Sequence, residues 1–104
     1  MGAAALAADP DPITEAQRPY AGRSSPKTAE DFFARARWWD LEADRGYPFV
    51  ARSRWYAANM LRAAERRMES GTPAPWTPGV DTPAPQCGTC GGPSDGPLAC
   101  GCAP

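Results

Sequence analysis

The chain has 104 residues, thirteen of them proline and ten glycine, which leaves room for one small domain and excludes a large buried core. Eleven basic and twelve acidic side chains nearly cancel, so there is no global electrostatic pull toward nucleic acid or an anionic membrane surface. Histidine is absent, which removes the usual general base and the Ser-His and Cys-His pairs of covalent catalysis.

Residues 1–27 are rich in Ala, Pro and Asp and hold no sustained period of 2 or 3.6, so they read as an extended or disordered arm. The apolar run from Met1 to Ala8 lacks a basic flank and is interrupted by Asp9-Pro10-Asp11-Pro12, a pattern unlike an export signal. No stretch approaches the roughly 20 apolar residues of a membrane span. These features predict a cytoplasmic protein with reduced thiols and no membrane association.

Residues 28–70 predict a helical hairpin. Thr28 can cap a first helix, with Asp31 answering it three residues later. Phe32, Ala36, Trp39 and Ala43 then fall on one helical face, and Trp38 and Leu41 on a second. Asp31 and Arg35 are spaced as a solvent-facing pair. Gly46-Tyr47-Pro48 reads as a helix stop followed by a helix start. A second helix is predicted from Pro48 to Glu69, with Phe49, Ser53, Tyr56, Met60, Ala63 and Ala64 on a broad face and Ser70-Gly71 as its stop.

So short a turn makes the two helices antiparallel, and the fold class is mainly α. A core of roughly 40 residues is near the lower limit of self-sufficiency, so a staple or partner is expected. Trp38, Leu41 and Trp55 lie off the main stripes and need a cover: the arm, the tail, a second copy or another protein.

Residues 71–86 are dense in proline, which predicts an extended polyproline spacer between the hairpin and the tail. Trp76 in its middle would anchor on the hairpin or on a partner.

All four cysteines lie in residues 87–104, as Cys87-Gly-Thr-Cys90 and Cys100-Gly-Cys102. A C-x2-C turn spaces two sulfurs as tetrahedral zinc requires, and two cysteines of an extended C-x-C point the same way to complete the set. The predicted site is therefore a structural zinc held by Cys87, Cys90, Cys100 and Cys102. An iron–sulfur cluster would accept the same four thiolates, and a disulfide pair or a redox dithiol are the other uses of such residues. Cys87, Cys90 and Gly91 resemble the Cys-x-x-Cys-Gly zinc knuckle of zinc-ribbon proteins, a resemblance that implies a structural zinc. The pair Cys100 and Cys102 departs from the second C-x2-C knuckle of that family.

The functional expectation is a small non-catalytic binding or adaptor protein with a protein partner or self-association and no small-molecule substrate. Trp38, Leu41, Trp55 and Trp76 are its candidate partner anchors, because large apolar side chains dominate interface energetics. The alternative is nucleic-acid binding by Arg52, Arg62 and Arg66, with Asn59 between them on the second helix. A minor alternative is a precursor of a modified peptide, with Thr89 and Ser94 beside the cysteines.

Overall fold

A computed structural model of the protein describes residues 25–46, 50–96 and 98–102. Residues 1–24 of the expected arm, Tyr47 of the expected turn, Pro48 and Phe49 of the expected start of the second helix, and residues 97, 103 and 104 lie outside them.

Two helices are formed, α1 (Ala29–Asp44) and α2 (Val50–Ser70). The start of α1 is fixed as its sequence predicts. Thr28 Oγ1 accepts the Asp31 N–H at 3.1 Å, and Asp31 Oδ2 accepts the Thr28 N–H at 3.3 Å. Two of the donors a helix start leaves unsatisfied are thereby met. At the other end the Arg45 N–H donates to Leu41, and the following Gly46 N–H to Ala43. Helix α2 closes at Ser70, where the Gly71 N–H returns to the Arg67 carbonyl at 2.7 Å.

The helices run antiparallel. Near the turn Arg54 of α2 reaches Asp44 at 3.1 Å and also bonds Asp40; in the middle Trp39 lies on Tyr56 with centroids 4.8 Å apart; farthest out, the Arg67 guanidinium sits 4.5 Å over Phe32. Between them Phe32, Ala36, Met60, Ala63 and Ala64 are buried. Burying one large apolar side chain is worth about 1.5–3 kcal/mol, so few such residues make a thin core. Arg35 departs from expectation: only 1% of it is exposed, so it belongs to the interior and not to a wet face shared with Asp31.

The larger difference lies after Gly71. The expected extended spacer is laid along the hairpin as a strap, and of the two anchorages expected for Trp76 it takes the one on the hairpin. Trp76, 6% exposed, joins Phe32 and Met60 in the core. The Ala74 N–H donates to the Lys27 carbonyl at 2.8 Å, and Arg67 donates to the carbonyls of Ala74 and Pro75 at 2.9 and 2.8 Å. Proline lacks an N–H, so a proline-rich segment cannot satisfy its carbonyls in a regular ladder; long side-chain donors of α2 do it instead.

Farther on, Trp55 Nε1 donates to the Ala84 carbonyl at 2.6 Å, and Asn59 Oδ1 accepts the Ala84 N–H. Helix α2 is thus the middle layer of the molecule. Tyr56, Met60, Ala63 and Ala64 face α1, while Trp55, Ala58 and Asn59 are sealed by the tail.

Candidate metal centre

The cysteine segment begins with a two-residue antiparallel bridge. Gln86 opposes Pro93, the Cys87 N–H donates to Gly92 at 2.7 Å, and the Ser94 N–H donates to Pro85 at 2.9 Å. The loop closed by this bridge carries the first ligand pair. Its return is set by Gly91, whose φ of +83° is a left-handed conformation that a side chain would strain. Gln86 Nε2 braces the loop from outside by donating to the Gly91 carbonyl at 3.0 Å.

The second pair, Cys100 and Cys102, is brought back by a bond from the Cys100 N–H to the Pro93 carbonyl at 2.9 Å. Here the expected extended C-x-C is absent: Gly101 has φ +79°, a left-handed conformation, so its flanking sulfurs are not brought to one side by strand alternation.

The four sulfurs lie within 4.8 Å of one another. Neighbouring sulfurs in a tetrahedral zinc tetrathiolate sit about 3.8 Å apart, from Zn–S bonds near 2.3 Å, so modest contraction gives that geometry. Backbone donors already face the site: the N–H groups of Thr89, Gly92 and Cys102 lie 3.4 Å from the sulfurs of Cys87, Cys90 and Cys100. Such donors favour thiolate over thiol. The N–H groups of Cys90 and Thr89 bring the Cys87 thiol down to about 6. Cys102, which shares its proton with Cys100 and Cys90, is pushed up to about 12. A metal ion would replace this sharing of protons by direct ligation. The four residues can hold a metal ion; Cys90, Cys100 and Cys102 are exposed and Cys87 is half-buried.

The cysteine segment rests on α2. Gly92 is buried so close to the helix start that a Cβ there would lie 3.3 Å from the Ala51 carbonyl oxygen. Asp95 faces Arg62 at 3.6 Å, and Leu98 packs on the Trp55, Tyr56, Ala58 and Ala84 cluster. Neither Asp95 nor Leu98 stood out in the sequence, since only their contacts with a distant helix distinguish them.

The remaining candidates divide. Leu41 is 54% exposed, and Trp38 is half-buried and edge-on to Trp39 at 4.8 Å. Trp55 and Trp76 are covered by the chain's own tail and core, which corrects their assignment as anchors for a partner. Of the arginines, Arg66 pairs with Asp81 at 3.2 Å and Arg62 with Asp95, while Arg52 is half-buried. Asn59 is fully buried and so is not part of a solvent-facing stripe. Thr89 and Ser94 are exposed on the turns of the cysteine segment. No helix among the described residues is long and apolar enough to cross a membrane. Comparison with protein-family models, with curated proteins and with solved structures finds no match to this chain.

Proposed function

We propose that this chain is a small non-catalytic binding protein whose C-terminal module is folded by a structural zinc and whose first helix docks on a protein partner. The observation that carries this reading is the convergence of four thiols within 4.8 Å, three of them already met by backbone N–H groups. Four thiolates fill a tetrahedral zinc and leave no position for water, the arrangement of a structural and not a hydrolytic site. The missing histidines point the same way.

For the partner, the outer side of α1 supplies Trp38, Leu41 and the 39%-exposed Phe33. A shallow groove of about 340 Å³ adjoins Phe33, lined by Ala36, Ala57, Leu61 and Leu98 together with the charged Arg37 and Asp40. Apolar side chains around a concave floor suit a protein side chain better than a phosphate backbone. The pairing of Arg62 and Arg66 with acids of the tail lowers the standing of the nucleic-acid reading further.

Native mass spectrometry of protein purified in reducing buffer without added metal tests the first half. One zinc per chain is expected; an iron–sulfur mass with visible absorbance, or a stable metal-free chain indifferent to zinc, would falsify it. The second half is tested by crosslinking in the native host with Trp38→Ala and Leu41→Ser. Loss of the crosslinked species in both variants, with helix content unchanged, is expected, and equal yields remove α1 as the docking element.

A further inference from the structure

The side of α2 that the tail covers is built to grip an extended peptide. Trp55 and Asn59, one helical turn apart, hold both backbone polar groups of Ala84: the indole N–H donates to its carbonyl at 2.6 Å, and the Asn59 carbonyl accepts its N–H. The Ala84 methyl is 3% exposed beside Trp55, Tyr56 and Ala58. Along the same side Arg66 takes the Asp81 carboxylate at 3.2 Å and Arg62 that of Asp95 at 3.6 Å. Main-chain donors and acceptors give such a site affinity, and the charges and a small pocket give it selectivity. The Asn59 carbonyl takes a donor that a peptide N–H supplies.

What keeps the tail on this face differs along its length. Near residues 76–84 it is held by Trp76, Asp81 and Ala84. Beyond, residues 87–102 offer Leu98 as their one large apolar side chain, too little to fold a docking surface of their own. Their shape, and with it the placing of Gly92, Asp95 and Leu98 on α2, depends on the sulfurs being tied together.

We propose that the face of Trp55, Asn59, Arg62 and Arg66 is a recognition site for an extended acidic peptide, closed in cis by the chain's own tail, with the metal centre as its latch. This rests on the reading that the four cysteines bind zinc. When zinc leaves, the cysteine segment loses its hold, the tail competes less well for the clamp, and a peptide in trans takes its place.

The experiment uses the full chain in reducing buffer, zinc-loaded or stripped by a chelator, with zinc content measured on the same samples. The probe is a fluorescein-labelled synthetic peptide of residues 79–86, Gly-Val-Asp-Thr-Pro-Ala-Pro-Gln, which carries Asp81 and Ala84 and no cysteine. Stripping is expected to raise its affinity roughly tenfold or more by anisotropy, because the tail's competition falls. Far-UV circular dichroism should keep its helix signal, and Arg66→Ala, at a 46%-exposed side chain, should reduce the gain. Leu98→Ala should let zinc-loaded protein bind the probe, since it removes the apolar side chain that seats the cysteine segment on the Trp55 and Ala84 cluster. Equal probe binding in the two states, binding in neither, or loss of helix with zinc overturns the latch. A chain that retains no zinc at all before stripping sinks the zinc reading instead, and the latch with it.

Discussion

The Arg67 guanidinium meets the Asp81 carboxylate end on, Nη1 to Oδ1 at 2.6 Å and Nη2 to Oδ2 at 2.7 Å, with 6% and 0% of the two side chains exposed. Arg67 also donates to the carbonyls of Ala63, Ala74 and Pro75 and lies over Phe32, so one side chain ties α2, the strap and α1 together. Asp81 in turn accepts the Thr77 N–H at 3.0 Å, which shapes the turn that follows Trp76.

Removing the acid from this pair leaves a buried, uncompensated guanidinium. Asp81→Ala is therefore expected to destabilise the fold by about 3–5 kcal/mol, the usual cost of breaking a buried ion pair from one side. Urea denaturation followed by tryptophan emission measures it, and a loss below about 1 kcal/mol would show that water reaches the pair.

The same pair gives stability a pH dependence. Burial raises the Asp81 carboxyl, but the Arg67 hydrogen bonds, the Thr77 N–H and the charges of Arg67 and Arg66 outweigh it and hold its pKa below the ordinary 3.8. A carboxyl depressed on folding contributes stability that is complete above the unfolded value and is lost as pH falls through the folded one. The gap in urea midpoint between wild type and Asp81→Asn should be constant at neutral pH and shrink below about pH 4, where other titrations common to both chains cancel. A gap that widens in acid contradicts the assignment.

At the metal centre, Gly91 and Gly101 adopt φ of +83° and +79°. Placing a Cβ on either costs about 1–2 kcal/mol of left-handed strain. Gly101→Ala should accordingly weaken zinc affinity roughly 5- to 30-fold in competition with a chromophoric chelator, at unchanged stoichiometry. Unchanged affinity would mean that the turn relaxes freely and does not set the position of the sulfurs.

Trp55→Phe keeps an aromatic ring but deletes the indole N–H together with the pyrrole ring that carries it. The Ala84 carbonyl then lacks the donor that Trp55 supplies, and a loss of about 1–3 kcal/mol is expected. Thermal unfolding of zinc-loaded protein tests this, and a shift indistinguishable from zero would remove the clamp from the list of interactions that fix the strap.

Much of the hairpin was legible because its signals are local. Thr28 with Asp31, the Phe32, Ala36, Trp39 and Ala43 face, and the Gly46 and Gly71 stops each follow from residues within a turn or two. The clustering of four cysteines was legible for the same reason. Arg35, Asn59, Arg67 and Asp81 were not, because a charged or amide side chain reads as solvent-facing unless its distant partner is known. Proline density likewise argues for an extended backbone but is silent on whether that backbone is free. The strap's hold comes from Arg67, Trp55 and Asn59, residues of α2 whose sequence pattern alone suggests a wet or partner-facing side.

The layering of α2 between α1 and the tail also sets an order of events during synthesis. Contacts between the two helices need no residue beyond Ser70, whereas the clamp on Ala84 needs the strap that follows. A nascent chain that has reached only Ser70 can pair its helices, yet it still shows Trp55 and Ala58 bare, with neither Trp76 nor any thiol yet made. Covering of that side of α2 thus follows pairing of the helices, once translation has passed Ala84.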